Sequence, residues 1–475
     1  MGKKRGNEGI EKLRSESDTM GSVEIPAWAY WGAQTQRAVS NFSVSDLRIP
    51  TAMIRALGLI KRHAAEVNGE LGLLDGELAD VICRASDELI DGKWDTHFPV
   101  DVFQTGSGTS WNMNANEVIA NRANEILGSP LGSRKPVHPN DHVNMGQSSN
   151  DVIPAAIHLA DRLEAGSLKE ALAELQGALE EKAEEFRDVI KIGRTHLQDA
   201  VPMTLGQEFS AFAEQVRKGG ERLASTYGRL EELALGGTAV GTGLNAHPEM
   251  AARVIERIAR RTGIAFRQAG NLFEAIATRD AQVELMGALN TMASGFMKIA
   301  NDLRLLASGP RAGFGEIILP SLQPGSSIMP GKVNPVIPEM VIQVVAFIMG
   351  KHLSVTIGAQ NGPLQLNMMN PLIAYETLTS MALLRETCLA FADRCIRGIE
   401  ADRERCAYWV EWSLALVTPL ATRIGYDRAA ALAYRAFRER RSVREVAREE
   451  KVLPEEELER LLDPKRMIYP QDKDK

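Results

Sequence analysis

A heptad pattern in the middle of this 475-residue chain restricts its fold more than any other feature. The apolar positions alternate steps of four and three residues without a break, which is the spacing of a helix seam packed against other helices. These positions are Leu285, Leu289, Met292, Phe296, Ile299, Leu303 and Leu306. The pattern predicts a long helix over residues 285–306 and a fold built by helix packing.

Four further stretches predict long helices. Apolar residues at helical spacing mark a second helix from Leu168 to Ile190 and a third from Leu205 to Leu230. Residues 340–349 are apolar except for Gln343, which indicates a helix buried on all sides at the centre of an assembly. Residues 372–398 form the fifth candidate. Because no convincing run of alternating strand residues is present, the sequence predicts an all-α fold with a bundle of long helices.

The regions that flank these helices differ in composition. Residues 1–146 mix short helical patterns with Gly, Pro and Asn turns, whereas residues 404–475 are highly charged. In the second region Ser442 and Glu445 fit a capping box, and Pro454 precedes three acids that favour a helix start. We therefore expect an N-terminal domain over 1–146, a central five-helix bundle over 147–403 and a small C-terminal helical domain over 404–475.

Composition excludes several classes of partner. The chain is 44% hydrophobic and 25% charged, as is usual for a soluble globular protein. Its net charge of −7 argues against nucleic acid as the main partner, since phosphate binding needs a basic face. No apolar run approaches the length of a membrane span, and the charged residues 1–7 contain no secretory signal. We expect no membrane partner, a cytoplasmic location and a loose tail over the first ~15 residues.

The cysteines and the remaining motifs give no sign of a metal or cofactor. Cys83, Cys388, Cys395 and Cys406 show no CxxC spacing, so we expect buried reduced thiols and neither zinc nor disulfides. Metal-ligand spacing and phosphate-binding loops are also missing from the sequence. The prediction is therefore no metal and no cofactor.

One loop has the composition of an anion site. Residues 325–335 read Gly-Ser-Ser-Ile-Met-Pro-Gly-Lys-Val-Asn-Pro, and such a Gly- and Pro-broken segment cannot be the middle of a helix. Lys332 supplies charge, and Asn334 and the two serines supply directional hydrogen bonds. A loop of this kind can close over a small anion.

Two polar islands lie in the first third of the chain. Residues 104–110 contain two glycines that permit close backbone approach, and Asn112, Asn114 and Asn116 follow them. The second island spans residues 138–151, where Ser149 or Asn150 can cap the helix that follows and backbone amides favour a carboxylate. Turns with helix caps and no ligand are the alternative interpretation of both islands.

A further island contains a candidate acid or base. A single histidine is usually structural, but His196 lies beside Arg194, Thr195 and Asp199 in a break between two long helices. This setting favours acid–base work. Glu339 begins the apolar helix, where it is either a partner of the helix dipole or a partner of the His196 imidazole.

Six segments of the chain, taken in order, resemble the corresponding motifs of the class II fumarate hydratases of the aspartase/fumarase superfamily. The similarity runs from about residue 17 to the end of the chain. The matching segments are 18–21, 31–37, 105–116, 138–151, 235–245 and 325–335.

The resemblance implies reversible hydration of fumarate to (S)-malate, a step of the tricarboxylic acid cycle, by a homotetramer whose active sites are each built from three subunits. It implies that His196, paired with Glu339, handles the water and that Ser326, on a mobile loop, is the base that acts on carbon. The residues implied to hold the substrate are Ser107, Gly108, Thr109, Ser148, Ser149, Asn150, Thr195, Ser327, Lys332, Val333 and Asn334. A secondary anion site is implied at His138, Pro139, Asn140 and Asp141.

The residue types suit this chemistry. Removal of a proton from the carbon beside a carboxylate leaves a carbanion whose charge must move onto that carboxylate. Preorganised donors such as Lys332 and Asn334 stabilise the doubly charged form. A tuned histidine with a carboxylate partner can deprotonate water or protonate the departing hydroxide.

Aspartate ammonia-lyase is the main alternative. Gly331, Ser149, Ser107 and the string at residues 31–37 favour the hydratase. Residues 336–339 and 364–367 resemble the ammonia-lyase more closely, and Trp111 stands where we expect a smaller residue. A non-catalytic structural homologue is the remote alternative.

Overall fold

The computed structural model describes residues 12–469, so most of the expected N-terminal tail lies outside the described residues. Helices dominate, as predicted. The helices are α1 (Ala33–Asn41), α2 (Thr51–Glu70), α3 (Gly76–Ile90), α4 (Thr109–Ile126), α5 (Ser149–Glu185), α6 (Leu205–Ser225), α7 (Tyr227–Leu230), α8 (Met250–Thr262), α9 (Leu272–Ala277), α10 (Asp280–Leu306), α11 (Val336–Ala359), α12 (Asn370–Arg394), α13 (Arg403–Trp412), α14 (Ala421–Ile424), α15 (Tyr426–Glu439), α16 (Val443–Glu449) and α17 (Glu455–Leu461). Single helical turns lie at Asp95–His97, Pro139–Val143, Ile396–Gly398, Leu414–Val417 and Pro464–Arg466.

Short strands form four two-stranded sheets among the described residues. The strands are β1 (Leu13–Asp18), β2 (Gly21–Pro26), β3 (Ile190–Thr195), β4 (Gln198–Thr204), β5 (Glu232–Leu233), β6 (Arg267–Gln268), β7 (Ile317–Ile318) and β8 (Glu400–Ala401). None of these sheets is large enough to form a layer of its own, so the fold class is all-α, as predicted.

The five predicted long helices are present. The heptad positions all lie in α10 and are buried. Three ends were wrong. Ile190 lies in β3 and not in α5, and the third predicted helix ends at Ser225, with α7 as a separate turn after it. The fifth ends at Arg394 and not at residue 398. The predicted capping box at Ser442 is present with both reciprocal hydrogen bonds, and α17 starts directly after Pro454.

The chain divides into two compact units, each discontinuous in sequence. Unit 1 comprises the residues up to Lys169, Arg222–Asn290 and Ile348–Leu383. Unit 2 comprises Glu170–Glu221, Thr291–Phe347 and the residues from Leu384 onward. The three sequence domains proposed above stay a prediction.

Unit 1 joins three long helices through a buried carboxylate. Thr377 in α12 donates to Asp161 Oδ1 at 2.7 Å, and Gln282 in α10 donates to Asp161 Oδ2 at 3.2 Å. Burial raises the pKa of Asp161, which lies in α5, to about 7. Three helices are thus tied together by a group that is costly to ionise.

Unit 2 packs its helices through aromatic rings and a glycine. The rings of Phe186 and Phe209 meet edge to face at 5.3 Å between centroids, and Phe209 and Phe212 do so at 5.6 Å. A Cβ at Gly219 of α6 would stand 2.9 Å from Met292 of α10, so the missing side chain allows the two helices to approach closely.

Helix α11, which contains residues 340–349, is buried on one side only within the single chain. Its Val341, Val345 and Ile348 are buried, but Phe347 and Leu353 are 56% and 61% exposed, so one apolar side is uncovered within the chain. By length and composition alone α11 could cross a membrane. The expectation that no apolar run approaches the length of a membrane span was therefore wrong.

The cysteines are unpaired among the described residues. Cys388, Cys395 and Cys406 are buried, as expected, and Cys83 is half-buried.

Candidate active site

The first island is a tight turn that leads into α4. Gly108 has φ +77° and a Cβ there would come within 2.9 Å of Ile153, so only glycine fits without strain or a clash. The hydroxyls of Ser107 and Thr109 are 2.8 Å apart. Because one of them donates to the other, the pair keeps one proton to offer to a ligand.

A second glycine brings this island against the start of α12. A Cβ at Gly106 would overlap the Met368 carbonyl oxygen at 1.9 Å, and the Gly106 carbonyl accepts from Asn370 N at 3.0 Å. Asn370 in turn accepts from the buried guanidinium of Arg279 at 2.6 Å. The turn that carries Ser107 is therefore held in place by the first residue of α12.

The second island forms the N-terminus of α5. Asp151 accepts from Ser148 N at 2.9 Å and, with its other oxygen, from Gly236 N and Thr238 N at 2.9 and 3.0 Å. Asn150 Nδ2 donates to the Ala239 carbonyl at 2.8 Å. The 235–245 motif is thereby held against Ser148, Ser149 and Asn150, so the structure brings these predicted residues together.

A buried lysine behind this island was missed in the sequence. Lys61 of α2 is 0% exposed and donates to Asn144 Oδ1 and Gln147 Oε1, both at 2.9 Å. Burial lowers the pKa of Lys61 to about 7, against the opposing charge of Asp151. Its helical register with Leu57 and Ala64, four residues before it and three after it on the buried face of α2, is the one signal that could have revealed it.

Two of the four predicted secondary anion residues line a separate open cleft of about 540 Å³, whereas Pro139 and Asn140 do not. His138 and Asp141 lie on this cleft beside Arg134 and Lys135. Arg134 Nη2 is 2.6 Å from His138 Nε2, and burial together with the Arg134 charge lowers the pKa of His138. Two cations that the prediction omitted thus accompany this cleft.

In unit 2, His196 sits at the tip of the β3–β4 hairpin. Thr195 pairs with Gln198, and His196 and Leu197 both adopt the left-handed conformation with φ of +56° and +59°. A two-residue hairpin loop with both φ values positive is a type I′ turn. Neither residue favours that conformation, which costs roughly 1–2 kcal/mol per residue. The turn presents the imidazole to solvent.

A bulge in β3 aims the hairpin. In a regular strand Lys191 and Arg194 would point to opposite faces, but the register shifts between Ile192 and Arg194. A Cβ at Gly193 would stand 2.9 Å from the Val201 carbonyl oxygen, so the bulge requires glycine.

The bulge lets both cations of β3 reach one carboxylate. Glu316 is 0% exposed, and its Oε2 is 2.9 Å from Arg194 and 3.2 Å from Lys191. Lys191 also pairs with Glu208 at 2.7 Å. Because Arg194 directly precedes Thr195 and His196, this buried ion cluster supports the base of the candidate catalytic turn.

The loop over residues 325–335 closes on itself. Gly325 N donates to the Lys332 carbonyl at 2.7 Å, and Asn334 Nδ2 donates to the Gly325 carbonyl at 2.7 Å. A Cβ at Gly325 would meet the Lys332 carbonyl at 2.7 Å. The two ends of the loop are thus held together by Lys332 and Asn334, which the sequence analysis predicted as substrate ligands.

Inside this loop the Ser326 oxygen receives two backbone amides. Ile328 N and Met329 N donate to Ser326 Oγ at 3.2 and 3.0 Å. Two such donors stabilise negative charge on the oxygen, which is the support that a serine needs to act as a base. Ser327, Lys332 and Val333 are exposed around it.

Some predicted partners do not meet within the chain. Among residues 12–469, neither the imidazole of His196 nor the carboxylate of Glu339 makes a hydrogen bond or ion pair in the structure, although both lie in unit 2. The side chains of Thr195 and Lys332 are exposed as well. Each unit therefore contains only some of the predicted site residues.

The chain matches the models of two protein families. The model of the lyase family matches residues 21–350, and the model of the fumarase C C-terminus matches residues 416–469. A class II fumarate hydratase from Methylorubrum extorquens is 50% identical over 460 residues, which is 97% of this chain and 98% of the relative.

Two other similar proteins are also fumarate hydratases. The mitochondrial fumarate hydratase of Schizosaccharomyces pombe is 52% identical over 91% of this chain and 84% of its own length. The solved structure of recombinant class II fumarase from Schistosoma mansoni matches with a TM-score of 0.93 at 40% identity, over 97% of this chain and all of that one. The chain belongs to the class II fumarate hydratase family.

Proposed function

We propose that this enzyme adds water to fumarate and removes it from (S)-malate, with Ser326 as the base that acts on carbon. The observation that carries the assignment of Ser326 is the pair of amides from Ile328 and Met329 at its oxygen. They lower the energy of the alkoxide that must form when the hydroxyl proton leaves. Membership of the family supports the reaction itself.

In the malate-to-fumarate direction, the Ser326 hydroxyl first gives its proton to water, and the resulting alkoxide takes the proton from the carbon beside one carboxylate. The electron pair moves onto that carboxylate, which becomes doubly negative. The ammonium of Lys332 and the amide of Asn334, both on the same loop, stabilise that charge. Expulsion of the hydroxyl group then completes the double bond.

We assign the departing hydroxide to His196, which donates a proton to it and takes one from water in the reverse direction. An exposed imidazole on a sharp turn can reach a ligand outside its own hairpin. Glu339 is proposed as its carboxylate partner. The remaining proposed substrate ligands are Ser107, Gly108, Thr109, Ser148, Ser149, Asn150, Thr195, Ser327 and Val333.

Self-association completes the site in this proposal. The uncovered side of α11 carries Phe347, Leu353 and Ile357 at 56%, 61% and 50% exposure, an apolar stripe suited to another copy of the chain. Because His196 and Glu339 make no contact within one chain, we propose that they meet across subunits of a homotetramer. No part of the reaction uses a metal or cofactor.

The cleft beside His138, Pro139, Asn140 and Asp141 is proposed as a secondary site for a small anion, with Arg134 and Lys135 as its charge. A cytoplasmic location stays a prediction, since one relative is named mitochondrial.

The product of fumarate with and without ammonium tests the reaction. We expect malate without ammonium. Aspartate formed only with ammonium would instead support the ammonia-lyase, and no product under either condition would support a non-catalytic homologue.

A further inference from the structure

A buried chain of hydrogen bonds behind Ser149 has no part in the steps above. Asn112 Nδ2 is 3.0 Å from Ser149 Oγ and 3.2 Å from Asn144 Oδ1. The same Asn144 oxygen is 2.9 Å from Lys61 Nζ. Lys61 and Asn112 are both 0% exposed. A fully buried lysine is therefore linked, through two amides, to a proposed substrate ligand.

Lys61 is one of two donors, with Asn116 Nδ2 at 3.2 Å, that fix the direction in which the Asn144 oxygen faces. Its Nζ contacts Asn144 Oδ1 and Gln147 Oε1, and since neither oxygen can donate, Lys61 is the donor to both in either protonation state. Asn144 Nδ2 independently confirms this orientation, because it donates to the Gln147 carbonyl at 3.1 Å. The oxygen of Asn144 therefore faces Asn112.

Asn112 must then present its NH₂ group. A flipped amide would set two carbonyl oxygens 3.2 Å apart, which is repulsive. In the observed orientation one N–H of Asn112 meets Asn144 and the other meets Ser149. The cost is that Asn112 Oδ1 is buried without a partner among the described residues.

This arrangement determines what Ser149 can offer. Its oxygen accepts from Asn112 on the inner side, so the hydroxyl proton points elsewhere. No described residue accepts that proton. A hydroxyl whose proton is held outward at the N-terminus of α5 is preorganised to donate to a carboxylate.

We propose that Asn112 is a positioning residue that holds the Ser149 hydroxyl as a donor to a substrate carboxylate, with Lys61 and Asn116 fixing the Asn144 oxygen that Asn112 contacts. This inference rests on the proposed function, in which Ser149 binds the dicarboxylate. Asn112 itself touches no substrate.

A double-mutant cycle on the full-length enzyme tests it. Asn112→Asp keeps the shape but replaces the donor with an acceptor, so the Ser149 hydroxyl turns inward and its proton is lost to the substrate. We expect KM for fumarate to rise about tenfold, with a smaller change in kcat, as is typical for the loss of a hydrogen bond of ~1.4 kcal/mol. Ser149→Ala and the double variant should show the same KM, because the two residues act as one unit.

Asn114→Asp is the matched control. Asn114 is equally buried on α4, but its Nδ2 donates to the His97 carbonyl at 2.9 Å and does not lead to Ser149. We expect it to lower the thermal midpoint and to leave KM unchanged. If Asn112→Asp does not fold, Asn112→Leu takes its place in the cycle; it removes the donor to Ser149 at similar side-chain size, and a non-additive rise in KM is again expected.

The outcomes distinguish failure of the positioning role of Asn112 from failure of the proposed substrate-binding role of Ser149. An unchanged KM in Asn112→Asp, or its full effect added on top of Ser149→Ala, overturns the positioning role while the proposed site stands. An unchanged KM in Ser149→Ala alone removes Ser149 from the proposed site, whatever Asn112 does.

Discussion

At the scale of single residues, sequence patterns predicted candidate side chains for the site, but they did not predict which groups contact those side chains. His196 and Lys332 stood out because polar groups interrupted helical patterns, whereas Ser326 followed only from the family resemblance. The structure places all three in turns or loops. Lys61 was not found, because a lysine in a helix with other charged residues, such as Arg62 beside it, usually projects into solvent. The identity of the backbone amides that reach Ser326 was also hidden, since backbone donors leave no trace in residue type.

His196→Asn tests the water-handling role. Asparagine tolerates the left-handed turn and cannot transfer a proton near neutral pH, so we expect kcat to fall at least ~100-fold, the usual size of acid–base effects. KM should change much less. Turnover equal to that of the unaltered enzyme would remove His196 from the mechanism.

Asp161→Asn tests the buried carboxylate of unit 1. The pKa of Asp161 is raised to about 7 from 3.8, so between these values the folded chain binds more protons than the unfolded chain. The stability associated with this group is therefore present below pH 3.8 and is lost as the pH rises to about 7.

We expect Asp161→Asn to flatten the fall in the free energy of unfolding over this range, as measured by urea denaturation at pH 5 and pH 7.5. Asp80→Asn, on an exposed pair with Arg84, is the control and should retain the slope. An unaltered slope in Asp161→Asn would show that another group titrates.

At the scale of elements, long helices were predictable and the hairpins were not. The seam of α10 follows directly from its heptads, whereas Ile190 continued a helical spacing into what is strand β3. His196 and Leu197 lack the Asn-Gly type of signal that usually marks a type I′ turn. The bulge at Gly193 depends on a carbonyl of the neighbouring strand, which no local pattern reveals.

Glu316→Gln tests whether the buried ion cluster supports this turn. The change leaves Arg194 without its charged partner, and breaking a buried pair costs about 3 kcal/mol or more. We expect a lower thermal midpoint and a lower kcat, because the base of the turn that carries His196 shifts.

The control is Glu214→Gln, which alters an exposed pair with Arg217 and should change neither quantity. A stable Glu316→Gln variant with full turnover would exclude the cluster from the support of the turn.

At the scale of the whole molecule, the sequence indicated an assembly through one apolar helix. It could not indicate which side of α11 is covered within the chain, because that depends on packing of distant segments. The exposed Phe347, Leu353 and Ile357 now define that side.

Leu353→Glu tests self-association. A charge on the apolar stripe should dissociate the assembly and abolish turnover, as measured by analytical ultracentrifugation and by assay of the same sample. Tyr426→Glu is the control, since Tyr426 is 81% exposed on α15, away from the stripe in sequence. An intact and active assembly in Leu353→Glu would place the interface elsewhere.

The most direct measurement follows fumarate in deuterium oxide without ammonium by NMR, for the unaltered enzyme and for Ser326→Ala. We expect the unaltered enzyme to form malate with one deuterium on the methylene carbon, and Ser326→Ala to be slower by at least ~100-fold, since it lacks the base. Malate formed by Ser326→Ala at the unaltered rate, or no malate from the unaltered enzyme, would contradict carbon-acid catalysis by this loop.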